Sequence, residues 1–301
     1  MCRTPPFCAC MEQKRPVDAA GAVALVGIAA LLAFNQVVIK VTGGGFGPVF
    51  QAGLRSALAL VFLLGWMWVL RKPLAFPRAA LAGGLITGLL FTVEFMALFA
   101  ALDLSSVARV SILFYSMPVW LALAGHLLLP GERLSGARVL GLLLAMTGVM
   151  LALLERKAAH VSLLGDVLVV FAAMCWAAIA LVVRLTPLAR VPAEMQLMSQ
   201  LVISAPLLLV LAPLTGETFR APDLLHWAGL LFQSVGVVGL GFLIWFRLLA
   251  VYRASDVASF SFLSPVLAVI LGWLLLEERV GPLVWLALAL VATGIVLINR
   301  R

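Results

Sequence analysis

Glu94 is an acid set in an apolar run, Phe91-Thr-Val-Glu-Phe-Met-Ala-Leu-Phe99. A carboxylate in such surroundings binds a cation, carries a proton or pairs with a base, because an isolated ion in hydrocarbon is costly. Arg55, Arg109 and Lys40 are its candidate partners, all expected near the same end of their helices. A cavity role and an ion-pair role are compatible, and both stand. Asn35 and Gln36 are amides that donate and accept hydrogen bonds without charge, to a zwitterion or to a neighbouring helix. Ser111 and Tyr115 are four apart and share a helix face. Pro118 follows them and can kink the helix. The same pattern recurs as Ser259, Ser261, Ser264 and Pro265. Trp176 offers an apolar wall, and Gln233 and Ser234 are further polar groups in an apolar segment.

These residues sit in a chain that is 64% hydrophobic and 11% charged over 301 residues. A soluble domain carries roughly a quarter charged residues. The apolar runs are long and show no strand alternation, so the fold class is all-α polytopic membrane protein. Ten spans are expected, near 19–41, 48–70, 79–101, 104–129, 135–154, 163–184, 193–214, 225–247, 255–276 and 281–298. Each is about twenty residues, enough to cross the hydrocarbon core as a helix.

The basic residues test this map. With the N-terminus in the cytoplasm, fourteen Lys and Arg fall in inner segments, from Arg3 to Arg301. Four fall in outer loops, namely Arg156, Lys157, Arg220 and Arg279. The bias predicts an inner (plasma) membrane protein with both termini cytoplasmic. The net charge of +8 is explained by orientation, so no nucleic-acid partner is expected.

The chain also repeats itself. Phe99–Arg133 aligns with Phe246–Arg279, pairing Pro118-Val119 with Pro265-Val266 and Gly125 with Gly272. After one extra residue, Gly131, Glu132-Arg133 pairs with Glu278-Arg279 and Thr147-Gly148 with Thr293-Gly294. Five spans per half is an odd number, so similar halves must enter the bilayer in opposite senses. The expected architecture is two inverted five-helix repeats, at 19–154 and 163–299, behind a cytoplasmic tail at 1–18. The copies differ at Glu94 against Gly241, Arg109 against Asp256 and Tyr115 against Phe262. The site is expected where the match fails.

No catalytic constellation is present, and there are only three His. No HExxH, Walker A or GxSxG motif occurs, and the Gly43–Gly47 turn follows no strand, so no phosphate cradle is indicated. Cys2, Cys8, Cys10 and Cys175 match no metal or haem spacing. The expectation is a protein that is not an enzyme and needs no cofactor or metal.

The opening Asn35-x-x-Val38-Ile39-Lys40 with Arg55 in the next span resembles EamA domains of the drug/metabolite transporter superfamily. The Pro118/Glu132/Gly148 and Pro265/Glu278/Gly294 sets carry the same resemblance in both halves. It implies alternating access around a central cavity lined mainly by spans one, three, four, six, eight and nine. Spans five and ten are peripheral in that arrangement. The ten-span size is similar to exporters of amino acids and related metabolites. Small four-span relatives place an essential Glu in the first span; this chain has Asn35 and Gln36 there.

The expected function is therefore a secondary transporter exporting small metabolites, above all amino acids, within a lipid bilayer and without need of an oligomer. Glu94, Asn35, Gln36, Arg55, Ser111, Tyr115, Trp176, Gln233 and Ser259 are the candidate substrate-binding residues, with Pro118 and Pro265 as hinges. The alternatives are a carrier of lipophilic cations or nucleotide derivatives, and a membrane scaffold that transports nothing. A cation would depend on Glu94, and an anion on Arg55, Lys40 or Arg109.

Overall fold

A computed structural model describes residues 17–128, 135–154, 162–252, 260 and 263–299. Ser259, Ser261, Asp256, Phe262 and the Pro130–Arg133 connection lie outside the described residues.

Long apolar segments become helices, and α8 continues through an internal Pro206. They are α1 (Ala19–Thr42), α2 (Pro48–Val69), α3 (Leu81–Leu104), α4 (Val107–Phe114), α5 (Met117–Leu128) and α6 (Gly136–Leu154). The second half supplies α7 (Leu163–Leu185), α8 (Ala193–Leu211), α9 (Leu224–Leu231), α10 (Phe242–Val251), α11 (Leu263–Leu276) and α12 (Pro282–Asn299). Among the described residues, eight helical segments are long and apolar enough to cross a membrane, and the two shorter apolar helices are α11 and α12. The only β pairing among the described residues is an isolated bridge between Phe46 and Phe219.

Two spans depart from regular α-helix. Span four breaks between α4 and α5, where Tyr115 has ψ of 10°. Pro118 explains the break: it has no N–H to give the Phe114 carbonyl, and its ring crowds that turn. In span eight, α9 and α10 are joined by a π-helical stretch, Phe232–Gly241. That stretch contains Gly236, Gly239 and Gly241.

Glycines set how closely the helices approach. A Cβ on Gly141 would lie 2.7 Å from the Gly294 carbonyl oxygen, and one on Gly294 would lie 2.6 Å from that of Gly141. A Cβ on Gly148 would meet the Ala287 carbonyl oxygen at 2.6 Å. Pairing 141 with 294 and 148 with 287 makes α6 and α12 antiparallel. Small residues allow this backbone contact, which packs helices where no hydrophobic force separates lipid from protein. The central helix, α3, is apolar on all sides and lies between α7 and α8. Thr87 and Thr92 within it bond back to the Gly83 and Gly88 carbonyls, so they need no partner elsewhere.

One buried ion pair ties the halves together at the end that the charge bias assigns to the outside, called the outer end below. Arg109 Nε donates to Asp166 Oδ1 at 2.6 Å and Nη2 to Oδ2 at 2.7 Å. The same guanidinium bonds the Ala152 and Leu153 carbonyls at the end of α6, at 2.5 and 3.1 Å. A cation on a helix C-terminus is favoured by the macrodipole. At the other end Lys72 pairs with Glu194, and the Tyr252 hydroxyl donates to Asp18, the N-cap of α1.

Two stability predictions follow from this packing. Gly294→Ala forces a methyl into the Gly141 backbone and should lower stability by about 1–3 kcal/mol. Gly27→Ala, where a Cβ meets nothing within 4 Å, should be neutral or stabilising; thermal unfolding in detergent compares the two. Asp166→Ala leaves the Arg109 charge buried without its counter-ion, and should cost about 3–5 kcal/mol. Replacing both partners together (Arg109→Met with Asp166→Leu) should recover most of that loss in the same assay.

Candidate functional site

The helices carry three polar residues to similar depth. Asn35 lies seven residues before the end of α1 and Arg55 seven after the start of α2, each about 10 Å in at 1.5 Å per residue. Glu94 lies ten residues before the end of α3, about 15 Å in. All three are buried, with 8%, 2% and 1% exposure.

Their hydrogen-bonding capacity is not used up. Asn35 Oδ1, Glu94 Oε2, and Arg55 Nε and Nη2 have no hydrogen-bond partner among the described residues. Arg55 instead lies over the Phe95 ring, 3.8 Å from its centroid, and 5.0 Å from that of Phe99. Glu94 acts electrostatically on Arg55, although the two make no direct bond. An acidic acceptor, an amide acceptor and two guanidinium donors are thus buried in the bundle without hydrogen-bond partners among the described residues. A desolvated polar atom left open costs about 1–3 kcal/mol, and a bound solute would satisfy these. Cys175 on α7 is buried within electrostatic reach of Glu94.

The other candidates divide differently. Gln36 Oε1 accepts from the Ser111 hydroxyl at 2.5 Å, which closes that pair between α1 and α4. Tyr115 is hydrogen-bonded to Ser264, joining the broken span four to α11. Gln233 is fully buried and donates to Thr42 Oγ1 at 3.1 Å. It accepts from Gln51 at 3.3 Å, and Gln51 also donates to the Ile39 carbonyl. Gln233 therefore links span eight to α1 and α2. Ser234 bonds back to the Leu230 carbonyl. Trp176 is half-buried on α7, next to Cys175. Pro118 sits just past the break in span four, and Pro265 is buried near the start of α11.

Of the three bases considered as partners of Glu94, only Arg55 acts on it. Arg109 is taken by Asp166. Lys40 Nζ donates to the Leu102 and Ser105 carbonyls at 2.6 and 2.7 Å, capping the end of α3.

Three residues gain roles that the sequence reading did not assign. Asp166 is the acid that neutralises Arg109; an acid in the first turn of an apolar span was the available signal. Glu278 reaches from the second half to the start of α4, accepting from the Val107 and Ala108 amides at 2.6 and 2.9 Å. Glu277 has φ of 54°, and this left-handed turn brings Glu278 back over Gly272. A Cβ on Gly272 would lie 2.7 Å from that carboxylate. Asp103 forms a two-pronged pair with Arg220, at 2.7 and 3.0 Å. That carboxylate holds the Arg220 guanidinium above its ordinary value.

Known proteins are similar to this chain in sequence and in fold. One solved crystal structure covers 93% of the chain and 98% of its own, with a TM-score of 0.66 at 22% identity, which shows the fold. A transporter of Bacillus subtilis (strain 168), YoaV, is 25% identical over 280 residues, spanning 90% of this chain and 94% of its own length. A probable amino-acid metabolite efflux pump of Escherichia coli (strain K12) is 29% identical over 286 residues, spanning 89% and 93%. The sequence profile of the EamA-like transporter family matches residues 19–154 and again 163–300, so nearly the whole chain is accounted for twice by one module. With its buried polar residues carried on membrane-length helices, this chain belongs to the EamA-like transporter family.

Proposed function

We propose that this transporter is a secondary exporter of small metabolites, above all amino acids, working by alternating access without ATP. The observation that carries the reading is the set of open valences at Glu94, Asn35 and Arg55. An α-amino acid presents an ammonium and a carboxylate on one carbon. The ammonium suits Glu94 and Asn35 Oδ1, and the carboxylate suits the two open donors of Arg55. A lipophilic cation would leave Arg55 facing it, and a simple anion would leave Glu94, so a zwitterion fits the pair best. The amino-acid metabolite pump among the relatives supports the same class. Ser111, Tyr115 and Trp176 line the remaining approach in this reading, with Gln36 and Gln233 completing the polar wall.

The architecture proposed is ten spans in two inverted repeats, at 19–154 and 163–299, in the inner membrane with both termini cytoplasmic. Helix contacts support it. Exchanging the halves turns the contact of α1 with α11 into that of α7 with α4 and α5. It turns α2 against span eight into α8 against α3, and α1 against span eight into α7 against α3. The pairs α2–α8 and α6–α12 map onto themselves. Homologous helices that cross antiparallel, as α6 and α12 do, fit an axis in the membrane plane. Rocking of one half against the other would bend span four at Pro118 and α11 at Pro265.

Uptake of labelled amino acids into proteoliposomes tests the function. Flux above that of empty vesicles is expected for at least one amino acid; a rate equal to empty vesicles across the set sinks the proposal. Glu94→Gln and Arg55→Gln should each weaken apparent affinity about tenfold, the scale of one charge-assisted hydrogen bond. A zwitterion should depend on both residues, whereas sensitivity to Glu94 alone would point to a cation.

A further inference from the structure

The glycine run Gly43–Gly47 has no part in the substrate site, yet the structure uses every residue of it. The connection between spans seven and eight folds back through Gly216 and Ala221, both with positive φ, and lays Thr218–Arg220 along this run. Gly47 N donates to the Thr218 carbonyl at 3.0 Å and Arg220 N to the Gly45 carbonyl at 2.8 Å. A Cβ on Gly47 would lie 1.9 Å from the Glu217 carbonyl oxygen, and one on Gly45 would lie 2.5 Å from the His226 ring. Side chains at these two positions would therefore exclude the docked loop.

Phe46 plugs the contact. It is fully buried, with ring centroids 4.9 Å from Trp227, 6.0 Å from Phe219 and 6.3 Å from Phe50. Arg220 closes the same place from the side, bonding the Gly43 carbonyl at 3.1 Å as well as Asp103. All of these contacts except Phe46–Phe50 join the first half to the second. Asp103 also lies on α3, nine residues past Glu94, so the helix that carries the acid carries the fastening.

We propose that Asp103, Arg220 and the Phe46–Phe219 bridge form an outer latch that must part before solute can leave the polar centre of the bundle. The latch is built to open. It has two main-chain hydrogen bonds rather than a continuing ladder, and its ion pair is about one-third exposed on both sides. The neighbouring Arg109–Asp166 pair, by contrast, is almost fully buried and serves as fixed structure. Loss of the latch shifts the population toward the outward-open state without touching any residue of the proposed site. The inference rests on the alternating-access reading above.

Native Cys175 supplies a reporter, being 5% exposed on α7, the helix that packs against the Glu94 helix α3. With Cys2, Cys8 and Cys10 changed to Ser, its reaction with a membrane-impermeant methanethiosulfonate is followed by mass in right-side-out vesicles. Asp103→Asn and Arg220→Gln should each speed labelling about tenfold, as expected when one charge-assisted pair leaves the closed state. The charge swap, Asp103→Arg with Arg220→Asp, should restore protection. Unchanged labelling in both single variants overturns the latch. A second arm uses Phe46→Cys with Phe219→Cys. These positions form a non-hydrogen-bonded antiparallel pair with Cα atoms about 4.5 Å apart, within disulfide range. The crosslink should stop flux and reduction should restore it. Flux that continues through the verified crosslink overturns the latch and leaves the transport reading standing, whereas a wild type without flux overturns that reading while labelling still decides the latch.

Discussion

The outer end of this protein is organised around one constraint: the turn between α3 and α4 is only two residues long, with Ser105 buried and Ser106 half-buried. Ser105 has no exposure at all. The last carbonyls of α3 and the first amides of α4 therefore cannot turn to water, and each open group would carry a desolvation cost. Lys40 answers the carbonyls and Glu278 the amides, while the Ser106 hydroxyl takes the Arg109 amide. The charges match the helix dipoles at both ends. Arg109 and Asp103, immediately on either side of the turn, recruit Asp166 and Arg220. Four helix ends and one loop are thereby fixed relative to a two-residue connection.

This separates two kinds of buried charge. At the turn, every ion is matched by a charge or by a helix end, and those residues behave as structure. In the middle of the bundle, Arg55 and Glu94 keep unused donors and acceptors. Arg109 and Asp166 are nearly as buried as Arg55 and Glu94, so burial alone does not separate the two kinds. Completeness of hydrogen bonding does.

The broad features were legible in the sequence because they follow from composition and period. Twenty-residue apolar runs can only be membrane helices, and span four breaks where Pro118 removes a donor. The burial of Glu94 followed from its apolar flanks. What the sequence concealed was the choice among partners. Arg55, Arg109 and Lys40 all carry the right charge for Glu94, and only the placement of Asp166 and of the α3 carbonyls decides that two of them are taken. Glu278 was visible as half of a repeated Glu-Arg motif. Its contact spans 171 residues, and nothing local to it indicates a helix N-terminus as its target.

The repeat sharpens the location of the polar centre. Glu94 on α3 is matched in the second half by Gly241, the last residue of the π-helical stretch in span eight. The corresponding part of α3 is regular helix. The halves therefore differ here in both chemistry and winding: one supplies a carboxylate, the other a widened turn lined by Gly236, Gly239 and Gly241. A π stretch leaves backbone hydrogen bonds poorly matched to its neighbours and is found most often at functional sites. A Cβ on Gly239 would meet the Phe62 ring at 2.5 Å, so α2 already presses against the widened segment. Movement of span eight relative to α2 thus bears on the helix that holds Arg55, while movement at the outer end of α3 bears on Glu94. The two charges sit on different helices, each braced by the opposite half, so the packing between the halves sets the distance between the charges.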